Sequence, residues 1–436
     1  MSDIQRVAGP SRLPLRLWFQ VGWIAAALTS AAWAQDASLT LSDCVQKALD
    51  ARNELTIARN DLRIAQEGVV AARAGFLPQV QATGGYTYNS PSKNAGSQQF
   101  IALNAVHEYL TQFGASLPID TSGKLRAELA RARSEREAAR QNVRMTERDL
   151  RKAVTASYYR LVLARRLVEV AKSTLAEAQS FESRTRKLNA GGEAARADVV
   201  KAQGEVAFLE QTLQGAELDA ETANHDLASY WTVDVTGVLN VADPFDGPLP
   251  QPAPDGTSDA YLKRVEFSVF DAQRLGLKAD IGAARAGMLP QTSLNWQYGI
   301  DSTRYSWADR GQAFFATVDV PIFDWLKAWS ATRQAHIRLE SFDITRDMAR
   351  RNLSKEYQSA LARVRLTWAQ IETTRQQVSL SQENFHLSQV KYEGGEGLAL
   401  DVVAAQSQLA QARGNYFSAI AAYFNARSDL EVAAGQ

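Results

Sequence analysis

The sequence predicts an α+β protein that is built twice over, in which very long antiparallel helices alternate with pairs of β-strands. Two observations lead to this fold class. No Pro or Gly interrupts residues 124–188, and an uninterrupted run of that length is typical of a coiled coil or a helical repeat. The octet Ala-Arg-Ala-Gly-x-Leu-Pro-Gln occurs at 72–79 and again at 284–291, with seven of its eight residues identical. Such self-similarity indicates an internal duplication.

The first 34 residues have the layout of a secretory signal peptide. Three arginines precede an apolar run from Leu17 to Leu28, and Ala32-Trp33-Ala34 then supplies a small-x-small cleavage pattern. The alternative is an uncleaved anchor, but the run is shorter than the ~20 residues that a transmembrane helix needs. We therefore expect export and a mature chain that starts at Gln35. We expect no lipid anchor, because no cysteine follows the apolar run at the position that a bacterial lipoprotein signal would need.

The composition argues against several functional classes. The chain has 48 basic and 48 acidic residues, so no extended basic surface for nucleic acid is expected. Cys44 is the only cysteine, which excludes an internal disulfide and a multi-thiolate metal site; we expect it to be a buried apolar residue. The four histidines show no metal-ligand spacing, and no phosphate-binding loop, dinucleotide fingerprint or nucleophile elbow is present. We expect no enzymatic activity and no cofactor.

Each copy opens with helices that end at a proline. Residues 39–53 form a short amphipathic pattern with Ser42 or Asp43 available as its cap. Residues 54–76 continue as a helix as far as Leu77-Pro78, because the residue before a proline is disfavoured in the helical conformation. In the second copy the same junction falls at Pro290.

After each of these prolines the pattern changes to a period of two, which indicates strands. Apolar or aromatic residues alternate with polar or small ones over 79–88 and 292–301, and a returning strand follows each run. The returning strands end at Pro118 and Pro321. The nine-residue difference in length between the copies falls in the first hairpin loop, where insertions cost little free energy.

The long helices follow, and their apolar positions form a heptad that suits an antiparallel coiled coil. Large residues at one core position alternate with small residues at the other in the first copy: Val154, Leu161, Val168 and Leu175, then Ser157, Ala164, Ala171 and Ala178. The register returns 203 positions later, as Tyr357, Val364, Ile371 and Val378.

Each long helix stops at a pair of glycines, and a returning helix then begins near an aspartate. The glycines permit the positive φ values of tight helix-ending turns; they are Gly191, Gly192, Gly394 and Gly395. The aspartates are Asp198 and Asp401. The predicted organisation is a signal peptide, a first repeat, an irregular linker rich in Pro, Gly and Asp, and a second repeat, at 1–34, 35–232, 233–258 and 259–436.

Four strands with one apolar and one polar face cannot close a transmembrane barrel, which needs at least about eight strands. Several protomers must therefore pool their strands, or the sheet is not in a membrane. The second possibility is a soluble sandwich that caps a coiled coil. Tyr and Trp on the alternating faces favour the membrane, because aromatic girdles lie at its two surfaces.

The chain resembles the TolC-like outer membrane efflux channel family over essentially all of the mature sequence. The resemblance rests on the duplicated octet, the proline-ended strands, and the glycine turns with an aspartate six residues later: 72–79, 284–291, Pro118, Pro321, Gly192 and Gly395. It implies a homotrimer whose four strands per chain form a twelve-stranded barrel in the outer membrane. It also implies a tapering α-helical coiled-coil barrel across the periplasm, with the short helices and the linker as a belt around its middle.

The same resemblance implies a passive exit duct that is opened by a periplasmic adaptor and an inner-membrane transporter, with the glycine turns in contact with the adaptor. The leading interpretation is efflux of small toxic compounds. One alternative is a duct for a polypeptide in type I secretion. Another, from a different class, is a structural protein that spans the periplasm and conducts nothing.

The resemblance also implies the residues that hold the duct closed. Tyr392 matches a tyrosine of the family and Asp198 an aspartate, whereas the position of the family's arginine falls on Gly397. Asp401 matches a pore-lining acidic position, and the second such position is Ala404. We therefore expect a single ring of carboxylates. The alternative is that Asp401 only caps its helix and Tyr392 only packs.

Overall fold

The computed structural model describes residues 38–89, 107–252 and 259–435. In chain order its main elements are α1 Leu41–Asp50, α2 Glu54–Ala74, β1 Gln79–Tyr88, β2 His107–Ile119, α3 Lys124–Ala190, α4 Arg196–Ala228, α5 Val265–Ala286, β3 Gln291–Ser302, β4 Gly311–Asp319, α6 Lys327–Glu393 and α7 Ala399–Ala433. Two short 3-10 turns, Ala260–Lys263 and Trp307–Asp309, complete the set. The predicted order of elements is confirmed in both copies, and the first hairpin loop lies outside the described residues.

The first helix is capped by a residue other than the two that the sequence analysis proposed. Thr40 is the N-cap of α1, and its hydroxyl accepts a hydrogen bond from the Asp43 N–H at 3.3 Å. The Asp43 carboxylate accepts one from the Thr40 N–H at 2.9 Å, so Asp43 is the third residue of a capping box. The cap moves to Thr40 because the chain is still extended there. Cys44 is fully buried, as predicted.

The four strands form one antiparallel sheet in the order β1-β2-β3-β4. Its register aligns the alternating patterns of all four strands. One transverse row contains Val80, Ala115, Trp296 and Phe314, and the next contains Gln81, Gly114, Gln297 and Ala313. Because directly paired residues point to the same side of a sheet, the apolar residues share one face. The outer strands β1 and β4 each leave one edge without a strand partner in the described chain.

The long helices α3 and α6 have 67 residues each, which corresponds to a length of about 100 Å. The predicted heptad is confirmed, since its positions form much of the buried seam: Val154, Leu161, Ala164, Ala171, Tyr357, Ala360, Val364 and Ile371. Within the described ranges, every helix is too short or too polar to qualify as a membrane span.

A partly buried ionic cluster joins the two sequence repeats near the middle of the long helices. The Glu266 carboxylate of α5 accepts hydrogen bonds from Arg148 of α3 at 2.9 Å and from Arg264 at 2.6 Å. Arg264 also pairs with Glu356 of α6 at 2.8 Å. Burial alone would raise the pKa of Glu266, but the two arginines outweigh it and lower the pKa to about 2. The cluster therefore carries full charge at neutral pH.

The linker is irregular, as predicted, over its described part (residues 233–252), where Val241 forms an isolated bridge with Leu39. It is held against α3 by Arg166, which pairs with Asp243 at 2.5 Å and with Asp246. Phe245 is buried and stacks on Phe424 of α7, with ring centroids 6.1 Å apart. The described part of the linker is therefore packed against the helices.

The two strand-to-helix junctions differ between the copies. In the first, Gly123 precedes α3 with φ at 81°, in the left-handed region that glycine tolerates. In the second, Trp325 and Leu326 precede α6 with φ at 54° and 62°. For residues with a Cβ this conformation costs roughly 1–2 kcal/mol each. The second copy therefore contains local backbone strain that the first copy avoids.

Candidate functional site

The turns that join each long helix to its returning helix are the first part of the candidate site. In both turns the N–H of the third residue after the helix donates to a carbonyl of the last turn: Glu193 to Leu188 at 2.9 Å, and Glu396 to Lys391 at 3.0 Å. This is the Schellman arrangement, which needs a left-handed residue after the helix. Gly192 and Gly395 supply it, with φ at 82° and 77°.

The first glycine of each pair has a different role from the one expected. Gly191 and Gly394 are helix C-caps with φ at −78°, which is ordinary right-handed backbone. All four glycines were expected to permit positive φ, and the structure uses it at only one glycine of each pair. The reason is geometric, since the Schellman turn reverses the chain over a single left-handed residue.

Side chains from both hairpins form one apolar cluster next to these turns. This tip cluster consists of Phe181, Ala202, Phe385, Tyr392, Ala399, Val402, Ala405 and Leu409. Within it the ring of Tyr392 packs on that of Phe181, with centroids 5.2 Å apart and an interplanar angle of 59°. Because Phe181 lies on α3 and Tyr392 on α6, the cluster holds the end of one long helix against the end of the other.

The Tyr392 hydroxyl is buried, and it makes no hydrogen bond with any residue that the structure describes. Within one protomer, therefore, Tyr392 is not hydrogen-bonded to Asp198. A buried hydroxyl without a partner costs about 1–3 kcal/mol. The structure thus brings Tyr392 to Phe181 and not to Asp198.

An ion pair between the hairpins lies beside the tip cluster. Arg184 of α3 and Glu393 of α6 are 2.7 Å apart, and both side chains are partly exposed. Neither this pair nor the contact of Tyr392 with Phe181 was predicted from the sequence. The heptad register equates Arg184 with Leu387, so the duplication gave no signal for it.

The two aspartates occupy the same place in the two returning helices, as their third residue. Asp401 is exposed, and its carboxylate accepts a long hydrogen bond from the Leu398 N–H at 3.4 Å. Asp198 is half-buried. A carboxylate at a helix N-terminus is favoured by the helix dipole. Asp401 is therefore placed both to cap α7 and to present its charge to solvent.

Gly397 fits tightly into the second turn. Its N–H donates to the Lys391 carbonyl at 3.0 Å. A Cβ at this position would lie 3.0 Å from the Tyr392 nitrogen and 3.1 Å from the Lys391 carbonyl carbon. A side chain here would have to displace its neighbours by a few tenths of an ångström, so glycine is the residue that fits this turn without adjustment.

The prolines at the helix-to-strand junctions lie at the end of the helical body opposite to the glycine turns. Pro78 and Pro290 follow α2 and α5, and the glutamine after each closes the helix end. Gln79 donates its side-chain N–H to Ala74 O at 2.9 Å, and Gln291 makes the equivalent bond at 2.8 Å. The repeated Leu-Pro-Gln is thus a helix stop and a strand start.

The remaining two prolines lie at the ends of the returning strands. Pro118 pairs with Ser293 near the end of β2, and Pro321 lies two residues beyond β4. At both places the chain leaves the sheet and turns into a long helix. The four prolines together delimit the sheet at its helical end.

Two long helical hairpins joined to a four-stranded sheet with one apolar face define a TolC-like channel protomer. Comparison with protein families agrees with this class. The model for outer membrane efflux proteins matches residues 44–232 and 258–436, and the chain belongs to that family.

Individual relatives are distant but similar over most of their length. The chain is 25% identical to the cobalt-zinc-cadmium resistance protein CzcC of Cupriavidus metallidurans, over 72% of this chain and 75% of CzcC. It is 23% identical to the pyoverdine export outer membrane protein OpmQ of Pseudomonas aeruginosa, over 86% and 81%. The crystal structure of the CmeC outer membrane channel of Campylobacter jejuni has the same fold, with a TM-score of 0.81, 17% identity, and coverage of 91% and 85%.

Proposed function

We propose that this protein is the outer-membrane exit duct of a tripartite efflux pump, and that it carries small toxic compounds from the pump to the exterior. The observation that carries the proposal is the sheet, with one apolar face, two open edges and a body of helices about 100 Å long attached to one end. This is the architecture of a protomer that contributes part of a barrel and part of a periplasmic tunnel.

The assembly that follows is a homotrimer. Its twelve pooled strands would close a barrel without edges, as a bilayer requires. A periplasmic adaptor would contact the glycine turns, and an inner-membrane transporter would supply the energy. We propose that the protein reaches the outer membrane through its cleaved signal peptide and has neither enzymatic activity nor a nucleic-acid partner.

The names of two relatives support the proposal that the cargo consists of small compounds. CzcC is named for resistance to cobalt, zinc and cadmium, and OpmQ for export of pyoverdine. Neither name refers to a polypeptide cargo. They favour efflux over polypeptide secretion, although a passive duct need not recognise its cargo.

The decisive experiment is single-channel recording of the purified protein in planar bilayers. We expect discrete conductance steps whose appearance requires the oligomer. Deletion of the gene should then increase sensitivity to small toxic compounds and leave secreted polypeptides unchanged. Confirmed insertion without conductance would overturn the duct and favour the structural protein, and loss of a secreted polypeptide alone would favour type I secretion.

A further inference from the structure

One large aromatic side chain interrupts the polar face of the sheet. The transverse row that contains it is Gln79, Ser116, Asn295 and Phe315. Directly paired residues point to the same side of a sheet, so Phe315 shares a face with three polar residues. The residue before it, Phe314, pairs with Trp296 and belongs to the apolar face. Phe315 is therefore the aromatic residue on the side of β4 where the pattern of the sheet is polar.

The surroundings of Phe315 are hydrogen-bonded rather than apolar. Asn295, its direct partner, donates its side-chain N–H groups to the hydroxyls of Ser293 and Thr317, both at 3.1 Å. Phe315 is 43% exposed, and its ring stacks on no other aromatic ring in the part of the chain that the structure describes. The ring therefore lies on a polar surface and is open to molecules that touch this face.

Leu110 is a second large apolar residue on the polar face, but its position has a local explanation. It pairs with Gly85, and a Cβ built at Gly85 would lie 3.8 Å from the Leu110 Cβ. Leu110 thus covers a stretch of strand that has no side chain, and it is half-buried. Phe315 pairs with Asn295 and has no glycine beneath it, so this explanation does not apply to Phe315.

We propose that Phe315 is a contact site for cargo on the inner wall of the barrel, and that it favours amphipathic organic cations. The proposal rests on the proposed function, since it requires a membrane barrel whose apolar face meets lipid and whose polar face lines the lumen. Twelve strands that are about 4.8 Å apart and tilted by about 40° give a circumference of about 75 Å and a radius of about 12 Å to the backbone. At that radius an organic molecule in the lumen passes close to the wall, where three phenyl rings lie at one height.

The charge of the same face defines the class of cargo. Three carboxylates of each protomer lie on it: Glu108, Asp301 and Asp319. The four strands contain no Lys and no Arg. A phenyl ring attracts a cation through its π face and an apolar group through burial of its surface. A molecule that is both positively charged and partly apolar is therefore attracted by the ring and by the carboxylates, whereas an anion is repelled.

Block of the current in planar bilayers tests the contact. One probe is tetraphenylphosphonium, a cation with an aromatic surface, and the other is tetramethylammonium, which has the same charge and little apolar surface. We expect tetraphenylphosphonium, added on the barrel side, to block the parent channel, and Phe315→Ser to raise the half-blocking concentration several-fold. Phe315→Leu keeps an apolar contact and should retain part of the block. The effect of tetramethylammonium should depend little on residue 315.

Phe314→Ser is the matched control, because it makes the same change one residue away on the apolar face. It should leave the block by tetraphenylphosphonium as it is in the parent. Equal block of the parent and Phe315→Ser, or a parent that is not blocked, would overturn the contact site. An equal loss of block for both probes would overturn it too, since the ring would then not select for apolar surface.

Thiol modification tests the placement of the ring independently. Cys44 is buried and is the only cysteine, so a Cys44→Ala background reacts only where a cysteine is introduced. Phe315→Cys should react with a charged, membrane-impermeant methanethiosulfonate and lose conductance, because a thiol in the aqueous lumen can ionise. Phe314→Cys should react far more slowly. The reverse order would place position 315 in lipid and overturn the contact site.

Conductance separates this proposal from the proposed function. Channels that conduct, but whose block does not depend on residue 315, would leave the duct standing and remove the contact site. Parent protein that inserts into the bilayer without conducting would overturn the duct, and the contact site with it.

Discussion

The Tyr392 side chain combines a well-packed ring with a hydroxyl that has no partner in the described part of its protomer. We expect Tyr392→Phe to raise the conductance of the closed channel and the entry of antibiotics, because the resemblance implies that this hydroxyl helps to hold the duct closed, and the substitution keeps the contact with Phe181. The measurement is conductance of the purified channel without its adaptor. If the variant leaks no more than the parent, Tyr392 serves only in packing.

The charge of Asp401 can be removed without removing its hydrogen bond to the Leu398 N–H. Asp401→Asn keeps an acceptor oxygen and should lower cation selectivity and block by multivalent cations, because a ring of carboxylates attracts cations into a narrow pore. Reversal potentials across a salt gradient measure the selectivity. Asp198→Asn is the comparison at the equivalent position of the first repeat, where the resemblance implies a role in closure and not in selectivity. Unchanged selectivity in Asp401→Asn would show that this residue is a helix cap alone.

The two strand-to-helix junctions, before α3 and before α6, allow backbone strain to be relieved in one copy and introduced in the other. Leu326→Gly should raise the free energy of unfolding by about 0.5–1 kcal/mol, because relief of the left-handed conformation outweighs the entropy that glycine adds to the unfolded chain. Gly123→Ala should lower it by about 1 kcal/mol, since φ there is 81°. Thermal unfolding in mild detergent measures both. A loss of stability in Leu326→Gly would mean that the exposed side chain stabilises the junction by itself.

At the scale of elements, the glycine turns offer a matched pair of neighbouring sites. Gly192 has φ at 82°, whereas Gly191 has −78°, so valine is strained at the first and acceptable at the second. Gly192→Val should weaken adaptor capture in pull-down assays and leave oligomers intact, because the distorted turn lies at the far end from the sheet. Gly191→Val should retain more of the capture. Equal adaptor binding by both variants and the parent would argue against adaptor contact at this turn.

The sequence predicted the elements well because their ends are set by local chemistry. Proline ends α2 and α5, glycine ends α3 and α6, and the observed ends lie within about two residues of the expected ones, as is usual for helix boundaries. The cap of α1 was assigned wrongly because Thr40, Ser42 and Asp43 are all good caps, and only the backbone decides between them.

The contacts of the candidate site were harder to predict from the sequence than the ends of the helices and strands. The contact of Phe181 with Tyr392 and the ion pair of Arg184 with Glu393 join helices of different repeats, so neither is a repeated motif or a feature of one helix. The left-handed backbone at Trp325 was equally hidden, because no pattern predicts a conformation that its residue type disfavours. The glycine turns were found because glycine is itself the signal.

At the scale of the whole molecule, the two repeats are interleaved. Helix α3 of the first repeat pairs with α5 through Arg131 and Asp280 at 3.1 Å, and with α7 through Glu177 and Arg413 at 3.0 Å. The buried Gln406 of α7 donates to the Thr174 carbonyl of α3 at 2.8 Å. The duplication visible in the sequence therefore produces one continuous helical body, and the sheet is the part that is left open.

The open sheet leads to the prediction about assembly. Both edges carry unpaired backbone N–H and C=O groups, and each such group costs several kcal/mol in hydrocarbon. A single protomer should therefore be unstable in a bilayer, whereas three protomers pair β4 of one with β1 of the next and leave no edge. Native mass spectrometry in mild detergent and chemical crosslinking should both give a trimer, and heating that dissociates it should remove the β-structure seen by circular dichroism at the same temperature. A monodisperse monomer that keeps its β-structure in lipid would contradict this, because the edges would then have to be satisfied within one chain.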